Sequence, residues 1–178
     1  MAPETRFQIL DGALEILREG GTVTLESAAR KAGLTKPGLM YHFATKQSLM
    51  LGLVDHVVDG YERALAERLP GPVSEAAPAA RIAAYLDWSL AGSFDQSDLA
   101  MMTDPRLCGP LTERWAARMG PWTDVPDELA PNLRSRLLAA RLIADGSWFA
   151  DATGVMPLDG EERALVGELV TELLEVAS

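Results

Sequence analysis

Cys108 is the one cysteine in 178 residues, so an intramolecular disulfide is excluded and a free, buried thiol is the role expected for it. Two histidines, His42 and His56, cannot assemble a metal-ligand cluster of familiar spacing. No Ser-His-Asp or Cys-His order suggests a nucleophile, the Glu-x-x-His pairs of helical di-iron sites are missing, and glycine-rich phosphate loops are missing too. These gaps argue against an enzyme and against a bound cofactor. No apolar run approaches the roughly 20 residues needed to span a bilayer, and the opening MAPETRFQ has no apolar signal core. A cytoplasmic protein with no membrane partner is therefore expected. Lysine is also scarce: Lys31, Lys36 and Lys46 are the only three.

Their clustering runs against the average charge of the chain, which is −10. From Ser27 through Val54 there is no Asp or Glu, while Arg30 and all three lysines fall inside that window. Residues 55–178 hold 21 acids against 10 arginines. A basic window on an otherwise acidic chain turns one face toward a polyanion and disfavours contact by any other.

The residues of that window explain the charge. Across TLESAARKAGLTKPGLMYHFATK, Thr24 to Lys46, the small residues Ala28, Ala29 and Ala32 face one side of a short helix, Gly33 supplies a sharp bend and Leu34 an apolar plug. Thr24 and Thr35 are placed to cap the two helices with their hydroxyls. Pro37 lies in a first helical turn, where its missing N–H costs nothing. Leu39 and Phe43, four apart, form a buried face, and Lys36, Gly38, Tyr41 and His42 lie on the other. This is the pattern of a helix-turn-helix whose second helix suits a major groove.

Apolar spacing elsewhere predicts helices throughout. A first helix covers 4–19 and ends at Gly20–Gly21, and a long one starts after Thr45, carries Leu49, Leu53, Val57, Tyr61 and Leu65, and stops at Pro70–Gly71–Pro72. Further helices are expected at 76–92, 94–103, 106–120, 127–153 and 159–176, the last opened by an Asp159/Glu162 capping box. Asp145 interrupts the apolar run LIADGSWFAD, where a buried carboxylate needs a partner; Arg141, one turn back, is a candidate. The fold class is all-α: a three-helix head joined by a long fourth helix to a body of about five more helices, divided into 1–46 and 47–178.

The segment from Gly33 to Leu49, GLTKPGLMYHFATKQSL, resembles the tetracycline-repressor (TetR) family of transcription regulators. The resemblance implies that Thr24, Thr35, Lys36, Tyr41, His42 and Lys46 contact phosphates and that Pro37, Gly38 and Met40 face the bases. Two departures stand out: Pro37–Gly38 replaces a more usual Gly-Thr pair, and Met40 replaces a tyrosine. A recognition helix so poor in hydrogen-bonding groups must rely on thymine-methyl contacts, close backbone approach and DNA shape.

The same resemblance implies a ligand-binding and dimerisation body at 47–178. Its apolar and aromatic residues Tyr61, Trp88, Phe94, Met101, Met102, Trp115, Trp122, Trp148 and Phe149, with Asp145, are the candidate pocket; the competing assignment is plain core. Helices 127–153 and 159–176 would form a four-helix bundle with a second copy through Leu137, Ala140, Ala144, Leu165, Leu169 and Leu173. The expected function is that of a homodimeric repressor on a (pseudo)palindromic double-stranded DNA operator, released by an unidentified small apolar or amphipathic effector. The alternative is a helical protein-interaction regulator that does not bind DNA directly.

Overall fold

The computed structural model describes residues 2–175, and every regular element among them is helical. The α-helices are α1 (Ala2–Arg18), α2 (Leu25–Lys31), α3 (Lys36–His42), α4 (Lys46–Ala66), α5 (Pro78–Ala91), α6 (Cys108–Thr123), α7 (Pro131–Thr153) and α8 (Gly160–Glu175). Short 3-10 segments occur at Val73–Glu75 and Gln96–Met102. The all-α architecture expected from the apolar periodicity is thus present. The helix expected at 94–103 takes the tighter 3-10 form, opened by Asp95 and Asp98 in a capping box.

Glycine ends the first two helices in the same way. Gly20 and Gly33 take φ of +71° and +68°, a conformation that costs a residue with Cβ. The next N–H groups then turn back, Gly21 to the Ile16 carbonyl and Leu34 to the Ala29 carbonyl, both at 2.8 Å, satisfying the helix ends in Schellman fashion.

The chain forms two compact units. One comprises the chain up to Gly60 together with Asp95–Arg118; the other comprises Tyr61–Phe94 together with the chain from Met119 onward. The first unit thus takes in residues 47–60 and Asp95–Arg118 together with the N-terminal helices.

In the first unit Ile9, Leu10, Ala13 and Leu17 of α1 are buried along with Ala28, Ala29, Leu39, Phe43, Leu49, Met50, Leu53 and Val54. The Phe43 ring lies so close to α4 that a Cβ on Gly52 would meet its Cε1 at 2.7 Å, and the Arg6 guanidinium stacks on that ring at 4.2 Å. Ion pairs tie Asp95–Arg118 to the rest of the unit: Arg18–Asp95 at 3.0 Å, Lys46–Asp104 at 2.5 Å, Arg114–Asp55 at 2.7 Å and Arg118–Asp59 at 2.7 Å. Cys108, expected to be buried, is half-buried and free.

In the second unit α5 packs on α7 and α8. Ile82, Leu137, Ala140, Ala144 and Val170 are wholly buried there. Asp159 and Glu162 exchange backbone-to-carboxylate hydrogen bonds at 3.0 and 2.9 Å, the expected capping box of α8.

Candidate nucleic-acid interface and body cluster

The helix-turn-helix is built as its residues require. The Thr24 hydroxyl accepts the Ser27 N–H at 2.9 Å, and the Ser27 hydroxyl accepts the Thr24 N–H at 2.8 Å. The Thr35 hydroxyl accepts the Gly38 N–H at 3.2 Å, with Pro37 in the same turn. Leu39 and Phe43 are buried, which leaves the opposite face of α3 outward. There Lys36 and Pro37 are exposed, Tyr41 is 85% exposed and Met40 41%. A Cβ on Gly38 would meet the capping Thr35 hydroxyl oxygen at 3.3 Å, so the small residue protects the cap. His42 is half-buried and touches Tyr41 edge-on at 5.4 Å.

Carboxylates compensate the basic window in a way that sequence separation concealed. Lys31 pairs with Glu15 of α1 at 3.1 Å and with Glu19, just past the end of that helix, at 3.0 Å, and these two acids raise its pKa. Lys46 pairs with Asp104 at 2.5 Å, and hydrogen bonds from Lys46 and from the Arg106 backbone hold the Asp104 carboxyl below its usual range. Lys36 pairs with Glu26, whose carboxyl the Lys36 ammonium holds low in turn. Every lysine therefore has an acidic partner, and two of those partnerships reach outside the acid-free window by many residues. Glu26 was legible as the acid immediately preceding that window; Asp104 had no such signal.

Comparison with known proteins places this geometry. A profile described as "Bacterial regulatory proteins, tetR family" matches residues 9–53, covering α2 and α3. A second, "Tetracyclin repressor-like, C-terminal domain", matches residues 79–175, more than half of the chain. The chain belongs to the tetR family. Proteins of the tetR family are DNA-binding transcription regulators that respond to small-molecule ligands, not enzymes. Among solved structures, a TetR-family member from Streptomyces coelicolor A3 is 23% identical, with 96% of this chain and 98% of that one covered and a TM-score of 0.60. The multidrug binding protein EbrR complexed with malachite green is 22% identical, with 94% and 96% covered and a TM-score of 0.60. FadR from Bacillus subtilis in complex with stearoyl-CoA is 14% identical, with 97% and 98% covered and a TM-score of 0.54. At these identities the likeness is one of tetR-family fold. Comparison with curated proteins returns no match.

The residues expected to line a pocket divide between the two units. In the second, Tyr61, Trp88 and Phe94 form an aromatic cluster, with ring centroids 4.6 Å apart for Tyr61–Trp88, 4.8 Å for Trp88–Phe94 and 6.0 Å for Tyr61–Phe94. The Trp148 indole N–H donates to the Tyr61 hydroxyl at 3.3 Å. Tyr85, absent from the expected set, stacks on Trp88 at 5.5 Å and donates its hydroxyl to Asp145 at 2.8 Å. It lies one helical turn before Trp88, a spacing that pointed to it. Burial pushes the Tyr85 phenol far up, and the Asp145 carboxylate pushes it further. Asp145 itself is half-exposed, held by Tyr85 and more loosely by Arg141 at 3.6 Å. Trp122 is buried in the same unit.

Phe149 is 46% exposed, because it lies on the outward face of α7. Met101, Met102 and Trp115 belong to the first unit, where Met101 is buried and Met102 is 49% exposed. An open groove of the second unit, about 890 Å³, runs between α5 and α8 past Ala83, Leu86, Leu90, Gly167, Glu168 and Leu174. No expected pocket residue lines it.

The expected dimer surface is corrected on α7. Leu137, Ala140 and Ala144 have no exposure and are core of this chain. The helix is apolar on more than one side, so periodicity alone did not say which stripe points inward. Its exposed stripe is Leu142, Gly146 and Phe149. On α8, Leu165 and Leu169 are exposed, at 61% and 62%, while Leu173 is half-buried.

Proposed function

We propose that this chain is a ligand-released repressor that binds a pseudo-palindromic operator as a homodimer. The observation that carries the reading is the outward face of α3, where Lys36, Pro37, Met40 and Tyr41 stand exposed on a helix anchored by buried Leu39 and Phe43. Pro37, Gly38 and Met40 meet the base edges, with Met40 reading thymine methyls. Tyr41 and His42, with the capped helix starts at Thr24 and Thr35, meet the backbone. Lys36 and Lys46 reach phosphate by exchanging their carboxylate partners for it. Residues 1–46 carry these contacts and 47–178 supply the effector site and dimer surface.

The homodimer reading draws on the exposed apolar stripes of α7 and α8, which a second copy would cover. The effector is a small amphipathic molecule received near the Tyr61–Trp88–Phe94 cluster, with Asp145 available to a cationic or hydroxylated group. Malachite green in EbrR and stearoyl-CoA in FadR show that this fold accepts unrelated chemistries, so the effector class rests on this chain's own residues. Effector binding displaces α4, and two heads held about 34 Å apart lose register with successive major grooves.

Fluorescence anisotropy on a duplex carrying the operator tests the interface. Lys36→Ala with Lys46→Ala should weaken binding and reduce the salt slope by about two per head, about 0.9 for each phosphate that is no longer neutralised. An unchanged slope would show that neither lysine reaches phosphate. Tyr41→Ala should weaken binding by about tenfold, on the scale of one hydrogen bond to a charged group.

A further inference from the structure

Among the three lysines, Lys36 alone is paired within the two helices that would face DNA. Lys31 is drawn to Glu15 of α1 and to Glu19 in the turn after it, and Lys46 to Asp104. Glu26 lies in the first turn of α2 and Lys36 opens α3, so this pair joins the two helix starts that Thr24 and Thr35 cap. Both side chains are accessible, at 63% for Glu26 and 48% for Lys36. An exposed pair of this kind is weak and exchanges readily, and phosphate is a natural competitor for the ammonium.

We propose that Glu26 acts as a charge brake on the DNA face, occupying Lys36 in the free protein and thereby lowering sequence-independent binding to duplex DNA. This rests on the DNA-binding reading above. Sequence-independent affinity comes from phosphate neutralisation. A carboxylate that removes one cation from the face, and adds an anion beside it, lowers that affinity in every sequence context. Operator binding offsets the exchange through base and shape contacts that random sequence lacks. Glu26 thus raises the ratio of specific to non-specific binding, the quantity that governs site occupancy among competing DNA. Arg30, one turn after Glu26 and exposed, has no ion pair among the described residues and remains as the cation of first encounter.

The test needs no operator. The full chain, Glu26→Gln, Lys36→Ala and the double variant are titrated against a random-sequence duplex of about 30 base pairs from about 50 to 200 mM salt. Thermal melts first establish that each variant is folded. Glu26→Gln should bind about three- to tenfold more tightly than wild type, with a salt slope steeper by about 0.9 per head. In the Lys36→Ala background the same substitution should gain less than about twofold. Equal affinity and slope for wild type and Glu26→Gln, with Lys36→Ala still weakening binding, would overturn the brake and leave the DNA reading standing. A duplex-binding protein indifferent to both substitutions would overturn the phosphate role of Lys36 and the brake together.

Discussion

The ammonium of Lys46, at the start of α4, donates to the carboxylate of Asp104 at 2.5 Å, joining residues 58 apart in sequence. With Arg18–Asp95 and the Arg114 and Arg118 pairs to Asp55 and Asp59, it fastens the stretch Asp95–Arg118 to the unit that carries the helix-turn-helix. Because Lys46 and Arg106 favour the ionised carboxyl, the Asp104 contribution is present above the unfolded value near 3.8 and is lost as pH falls through the lower folded value. Asp104→Asn should therefore lower the thermal midpoint at neutral pH and shrink the further loss that wild type suffers below about pH 4. An acid loss of the same size in the variant would assign that lability to other carboxylates.

Gly52 is predicted to be intolerant of even a methyl group. Alanine there would gain up to about 1 kcal/mol of helix propensity, but its Cβ would fall 2.7 Å from the Phe43 ring and 3.3 Å from Arg6. Overpacking of a filled core costs about 1–3 kcal/mol, so Gly52→Ala should be destabilising overall in urea unfolding. A more stable variant would mean that Phe43 shifts freely.

Alkaline pH should probe the body cluster. Burial and the Asp145 carboxylate raise the Tyr85 phenol above its ordinary value of 10.0. Its stabilising contribution is intact below that value and is lost as pH rises beyond it, since the unfolded chain ionises first. Wild type should lose thermal stability above about pH 10, and Tyr85→Phe should lose less, after a neutral-pH cost of about 1–2 kcal/mol for the hydrogen bond to Asp145. Parallel pH curves for the two proteins would contradict this.

Aspartate at Leu165 and Leu169 together, or at Leu142, should give a folded monomer by sedimentation, because these side chains are exposed in the single chain. Leu137→Asp should instead unfold the protein, since Leu137 is wholly buried. Dimers that survive the surface substitutions would move the interface elsewhere.

Local chemistry made the head readable from sequence. Thr24, Gly33, Thr35 and Pro37 act on backbone groups within a few residues, so their spacing carried the geometry, and Leu39 and Phe43 settled which face of α3 is inward. The body was less legible because its decisive contacts are distant. Nothing near Lys46 announces Asp104, and nothing on α7 distinguishes the buried stripe of Leu137, Ala140 and Ala144 from the exposed one of Leu142 and Phe149 until α5 is placed against it. Asp145, expected to be buried and in need of a partner, is half-exposed, and its nearest one, Tyr85, is 60 residues away.

Selection of bound fragments from a random double-stranded DNA library at near-physiological salt tests the central claim most directly. The account predicts enrichment of an inverted repeat with half-sites about one helical turn apart, abolished when Tyr41 and Lys36 are replaced by alanine. Enrichment of no sequence by the effector-free protein would contradict it and favour a head that serves a protein partner.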